Sequence, residues 1–204
     1  MKYTVIRFKD LKTCLKQLEP FIRDGEHLQT GKPFKKFGGM RSREILANWL
    51  LCVAINSNES VDRLTFCSDP LGGDGLICEN ITKKTWKTEH ILVPRTTDKV
   101  QNVEALILKA IEKKQQKGGS AYASGKTLIV FLNASGEQWH PNKVARNLPT
   151  VLDFESIWVV GLQSVIPDEE YIYNIVNLNL GGNSPVWQIH IEKDFDSWQV
   201  NQIQ

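Results

Sequence analysis

Asp74 and Glu89 are the residues of this chain whose types and spacing best suit chemistry. Asp74 stands in the Gly-flanked bend GGDG and Glu89 in the apolar run TEHILV, with a short basic turn between the two runs. Side chains alternate faces along a strand, so Asp74, Leu76 and Cys78 share one face, and Lys87, Glu89, Ile91 and Val93 share one on the partner. A turn centred on Ile81–Thr82 sets Asp74 directly opposite Glu89. A turn centred on Lys83–Lys84 moves the register but leaves both carboxylates on one face, because parity is unchanged. Like charges facing each other across a strand pair are destabilising unless something compensates them. A hard divalent cation is one compensator: Mg2+, or Mn2+ in its place, takes one or two carboxylates and keeps several waters.

The surrounding elements must hold this hairpin in place. Leu11, Leu15, Leu18 and Ile22 recur at helical spacing after a short strand expected over residues 3–8. A Gly, Pro and Lys loop follows over residues 24–39. Ser42 reads as the N-cap of a helix to Asn56 with the stripe Ile45, Leu46, Trp49, Leu50 and Val53. Glu44 and Asn48 lie on the edge of that stripe, where Glu44 can supply a third oxygen to the hairpin. Strand patterns run over 63–67, 74–79 and 86–93. A helix capped by Thr97 or Asp98 then reaches about Lys117 and ends at Gly118–Gly119. TLIVFLN (127–133) and SIWVVGL (156–162) read as buried strands, with a short helix near 141–147 between them. YIYNIVNLNL and PVWQIHIEK around GGNSP read as a C-terminal β-hairpin.

The order helix, three strands, helix, strand over about residues 41–162, with these three acids, resembles the PD-(D/E)xK nuclease superfamily. The resemblance implies an α/β fold with a restriction-endonuclease-like core: a mixed central sheet flanked by helices, here with the extra hairpin at 165–204. It implies a metal-dependent hydrolase of nucleic-acid phosphodiesters. Asp74 and Glu89 would be catalytic metal ligands, Glu44 a direct or water-mediated ligand, and the backbone carbonyl of His90 a further one. The family's lysine two residues after the strand acid is here Ile91. Lys87, two residues before Glu89 on the same strand face, becomes the phosphate or water partner, with Lys126 and Lys109 as weaker substitutes.

Each acid also has an ordinary reading. Glu44 suits the first turn of a helix, Asp74 suits a turn, and Glu89 suits an exposed strand edge paired with Lys87 or Lys84. The alternative function is therefore a catalytically inactive binding or assembly module that keeps the nuclease core. A third possibility is a purely structural hairpin with the function in the 165–204 tail.

The 204 residues suit one α/β domain over 1–204, and a formal charge of +2 makes nucleic-acid affinity a matter of local patches. Lys32, Lys35 and Lys36 interleave with Phe34 and Phe37 in GKPFKKF, and Lys126 precedes a buried strand. These four are the candidate nucleic-acid contacts, with DNA favoured over RNA. Cutting both strands of a duplex often uses two copies, which makes a homodimer a candidate partner. Apolar runs fall far short of the roughly 20 residues a membrane helix needs, and the charged N-terminus does not read as a signal peptide. A cytoplasmic protein is expected. Cys14, Cys52, Cys67 and Cys78 show no CxxC spacing and read as reduced thiols. GGSAYASGKT lacks P-loop spacing and precedes its strand, so it is no phosphate loop.

Overall fold

In the computed structural model of the chain, residues 9–59, 62–95, 102–133, 138–166 and 170–204 are described. The strand expected over 3–8 and the caps expected at Thr97 or Asp98 lie outside them. Helix α1 spans Leu11–Arg23, with Asp10 capping it by accepting the Thr13 N–H at 2.7 Å. Its Leu11, Leu15, Leu18 and Ile22 are buried as the spacing requires. A short helix α2 (Glu26–Thr30) and a single 3-10 turn (Lys35–Phe37) lead to α3, Ser42–Asn56.

Helix α3 is buried nearly all round, beyond the single stripe expected of it. It lies in one apolar cluster with α1 and one face of the sheet, so its polar side chains must find partners inside. Trp49 donates Nε1–H to the Leu11 carbonyl at 2.9 Å, and Asn56 exchanges two 2.8 Å bonds with the Leu64 backbone. Its N-cap is Arg41, one residue before the expected Ser42.

Eight strands form one mixed sheet in sequence order: β1 (Leu64–Cys67), β2 (Gly75–Glu79), β3 (Thr85–Val93), β4 (Lys126–Leu132), β5 (Ser156–Ile166), β6 (Glu170–Asn177), β7 (Val186–Ile191) and β8 (Trp198–Gln202). β1–β3 form an antiparallel meander, β3, β4 and β5 run parallel, and β5–β8 are antiparallel. Helix α4 (Val103–Gln116), capped by Asn102, and the short α5 (Gly119–Ala123) make the crossover from β3 to β4. The short α6 (Pro141–Arg146) precedes β5. β4 is buried on both faces: Ile129 and Phe131 meet the α1–α3 layer, Leu128 and Val130 the α4–α6 layer. The architecture is thus mixed α/β, as expected.

The C-terminal hairpin is instead a meander, because β8 adds a further edge strand. Its sequence WQVNQ is mostly polar and half-exposed, which suits an edge and hides it from a hydrophobic pattern. Trp198, at its start, packs edge-on against Trp49 with ring centres 5.2 Å apart and so extends the core. The four cysteines are free thiols. No helix of the described residues is long and apolar enough to cross a membrane.

Candidate functional site

The β2–β3 register pairs Gly75 with Thr88 and Leu76 with Lys87, so Asp74, one residue earlier, falls opposite Glu89. This is the register of a turn centred on Ile81–Thr82. Asp74 Oδ2 accepts the His90 N–H at 2.7 Å, which fixes its carboxylate against β3. Gly75 lets the backbone approach α3. Its φ is +153°, and an added Cβ would meet Asn48 Nδ2 at 2.5 Å and Thr88 Oγ1 at 2.9 Å.

Glu89 lies on the α4 face of the sheet, its side chain 10% exposed. Lys126 Nζ donates to Oε1 at 2.7 Å, Tyr122 O–H donates to Oε2, and Lys114 Nζ stands 3.1 Å from Oε2. Burial pushes the Glu89 carboxyl up, but these three donors outweigh burial and hold it below the usual range. Burial, and then the same bond, push the Tyr122 phenol up, so it remains a donor. Lys126 also sits over the Tyr122 ring, 3.9 Å from its centre.

Lys114 is the residue the sequence did not point to. Its ammonium lies 3.0 Å from the His90 carbonyl, 3.1 Å from Glu89 Oε2 and 3.8 Å from Asp74 Oδ2. Val103, Ile107 and Ile111 form the buried stripe of α4, and Lys114 is its next member, so the helix aims it at the sheet. Ile91 packs against the same apolar layer. A lysine on the core-facing stripe of a helix is the signal that would have found it.

The other expected residues are placed as follows. Lys87 pairs with Asp69 Oδ2 at 3.5 Å, so it stands as a pin for the loop that carries Asp74. Asp69 heads that loop, accepting the Leu71 N–H at 2.9 Å on its other oxygen. Glu44 is buried, and its Oε2 accepts the Arg41 N–H at 2.8 Å, closing the first turn of α3. Burial first, and then the charge of Asp74, push its carboxyl up. Lys126 is drawn to Glu89 rather than outward. Lys32, Lys35 and Lys36 are exposed on a loop that flanks the site: Gly38 abuts Ser68 and Met40 abuts Gly75.

The sequence matches no family model and no curated protein.

Among the described residues no three His, Cys, Asp or Glu side chains gather as a metal centre. What the site offers is two carboxylates and one main-chain carbonyl around a single cation position. That all-oxygen set suits Mg2+, which binds one or two carboxylates and retains waters, better than a soft-metal site. Lys114 Nζ is the cation that occupies this position.

His90 contributes through its backbone. Its ring is buried on the α3 face, with Nε2 3.4 Å from Thr88 Oγ1 and Nδ1 without a protein partner. Burial, then the Lys114 charge, lower it from 6.5 to about 3, so the ring stays neutral. Below about pH 6.5 the unfolded chain takes up a proton that the folded chain refuses, so stability falls as pH falls toward 3. Between pH 7 and 4.5 this one group costs about 2.5 kcal/mol. Urea unfolding of wild type and His90→Gln across that range is expected to show the variant losing less by that amount. Parallel curves would mean that the ring titrates normally in the folded protein.

Proposed function

We propose that the chain is a divalent-metal-dependent nuclease of the restriction-endonuclease-like kind, hydrolysing nucleic-acid phosphodiesters, with DNA favoured over RNA. The observation that carries this reading is the convergence of Asp74 Oδ2, Glu89 Oε2 and the His90 carbonyl on one cation position. The order α3, β1, β2, β3, α4, β4, with one acid ahead of β2 and the other within β3, supports it.

In this reading Asp74, Glu89 and the His90 carbonyl hold Mg2+ or Mn2+. When bound, the ion supplies an activated water and offsets charge developing on the phosphate. Lys126 and Tyr122 keep Glu89 ionised and aimed. Lys87, through Asp69, positions the Asp74 loop. Glu44 shapes the start of α3 and sets a buried acid near Asp74. Cleavage of both duplex strands often uses two copies, and a homodimer is the partner that this reading adds.

A second reading, a binding or assembly module on the same core, is favoured by one observation: the cradle already holds a protein cation, while Ile91 occupies the lysine position. Incubation with supercoiled plasmid and with single-stranded oligonucleotides separates the two. The nuclease reading expects cleavage with Mg2+ or Mn2+ and none with chelator. Retardation of DNA without cleavage under every metal condition selects the binding module.

A further inference from the structure

Lys114 makes contacts of a particular kind. Its ammonium touches two carboxylates, one from the bend ahead of β2 and one from β3, and a main-chain carbonyl, and its side chain is only 11% exposed. A lysine that served packing alone would carry its charge to water along its flexible stem. Here the charge is turned inward onto the oxygens that a hard divalent ion would use. The two cannot share the position, since an ammonium and a divalent cation within a few ångströms repel strongly at low effective dielectric.

We propose that Lys114 is a tethered cation that fills the Asp74–Glu89–His90 cradle and must yield it to a divalent ion. The inference rests on the nuclease reading and adds to it an ordering device. Without metal, Lys114 neutralises two facing acids that would otherwise repel across the strand pair. With metal, the displaced ammonium remains tethered at the rim, where the phosphate of a bound strand lies. The site thereby acquires its missing lysine and its metal in one event, from a helix rather than from β3. Tyr122 is suited to the exchange, because its ring lies 5.8 Å from Nζ and offers the departing charge an aromatic face.

The exchange has two readouts that do not depend on cleavage. Acylation of wild type by an amine-reactive ester, followed by peptide mass spectrometry, reads whether the Lys114 amine is covered. Labelling is expected to rise at least several-fold on adding Mn2+, with Lys113 of the same helix as internal reference. Labelling that stays unchanged while Mn2+ binds overturns the proposal. The second readout is Mn2+ affinity, from loss of the free-ion electron paramagnetic resonance signal. Lys114→Met is expected to bind at least tenfold more tightly than wild type, and Lys114→Gln serves the same comparison if the first variant does not fold. Binding by the variant alone overturns the exchange, because the ammonium then never yields the position. Equal or weaker binding in the variants, abolished by Asp74→Asn, overturns the displacement and leaves the metal reading standing. Absence of Mn2+ binding in wild type and variants alike overturns both.

Discussion

On the proposed nuclease reading, Glu89→Gln is expected to lower metal-dependent cleavage by about two to three orders of magnitude, the scale of losing one preorganised electrostatic group at a reacting phosphate. The amide keeps the shape of the side chain but removes the charge that would hold the ion. The same substitution is expected to weaken the fold. Lys114 and Lys126 both point ammoniums at this one carboxylate, each with its side chain under a fifth exposed. Breaking a largely buried pair from one side leaves charge uncompensated, and three groups depend on Glu89 here, Tyr122 being the third. A loss of about 2–3 kcal/mol and a melting temperature lower by roughly 5–10 °C follow for a chain of this size. Cleavage measured well below both melting transitions separates the two effects. Full activity in a destabilised variant would reduce Glu89 to a partner of its lysines.

The pairing of Asp74 with Glu89 was legible because it rests on local rules. A strand has period two, the turn between β2 and β3 is short, and parity survives a register change of that kind. The buried strands β4 and β5 were legible as unbroken apolar runs for a similar reason. Lys114 obeys no local rule. Its role depends on how α4 lies across the sheet, which is set by packing of Val103, Ile107 and Ile111 on side chains far away in sequence. The stripe itself was readable, but its last member is charged and so dropped out of an apolar pattern.

For Lys87 and Glu44 the sequence spacing pointed to the right neighbourhood, and the structure adds a partner for each that the spacing did not show. Lys87 shares the strand face of Glu89, yet its long side chain reaches across to Asp69 at 3.5 Å. Glu44 depends on a one-residue shift of the helix start. With Arg41 rather than Ser42 at the N-cap, Glu44 becomes the third helical residue, and its carboxylate turns back to the Arg41 N–H. In each case the fold uses the residue to build the platform under the acids, which is where supporting groups of a functional site ordinarily act.

On the same proposed reading, replacing Lys32, Lys35 and Lys36 together by Ala is expected to weaken DNA binding by about two orders of magnitude near 0.1 M salt. All three are exposed on the loop whose Met40 reaches Gly75 and whose Gly38 lies against Ser68, so they border the Asp74 loop rather than the far side of the molecule. A lysine on a phosphate releases about 0.9 of a counterion from duplex DNA, so removing three such lysines flattens the log–log salt dependence by about 2.7. The loss of affinity is expected to be similar for unrelated sequences, because phosphates carry no base identity. Mn2+ binding and melting temperature are expected to stay at wild-type values, since none of the three touches Asp74 or Glu89. Fluorescence anisotropy of labelled duplexes over a salt series measures both affinity and slope. An unchanged slope would place the phosphate grip on another surface, even if affinity fell. The slope is the sharper readout, because it reports how many phosphates the protein neutralises, whereas a general disturbance of the loop lowers affinity at every salt concentration alike.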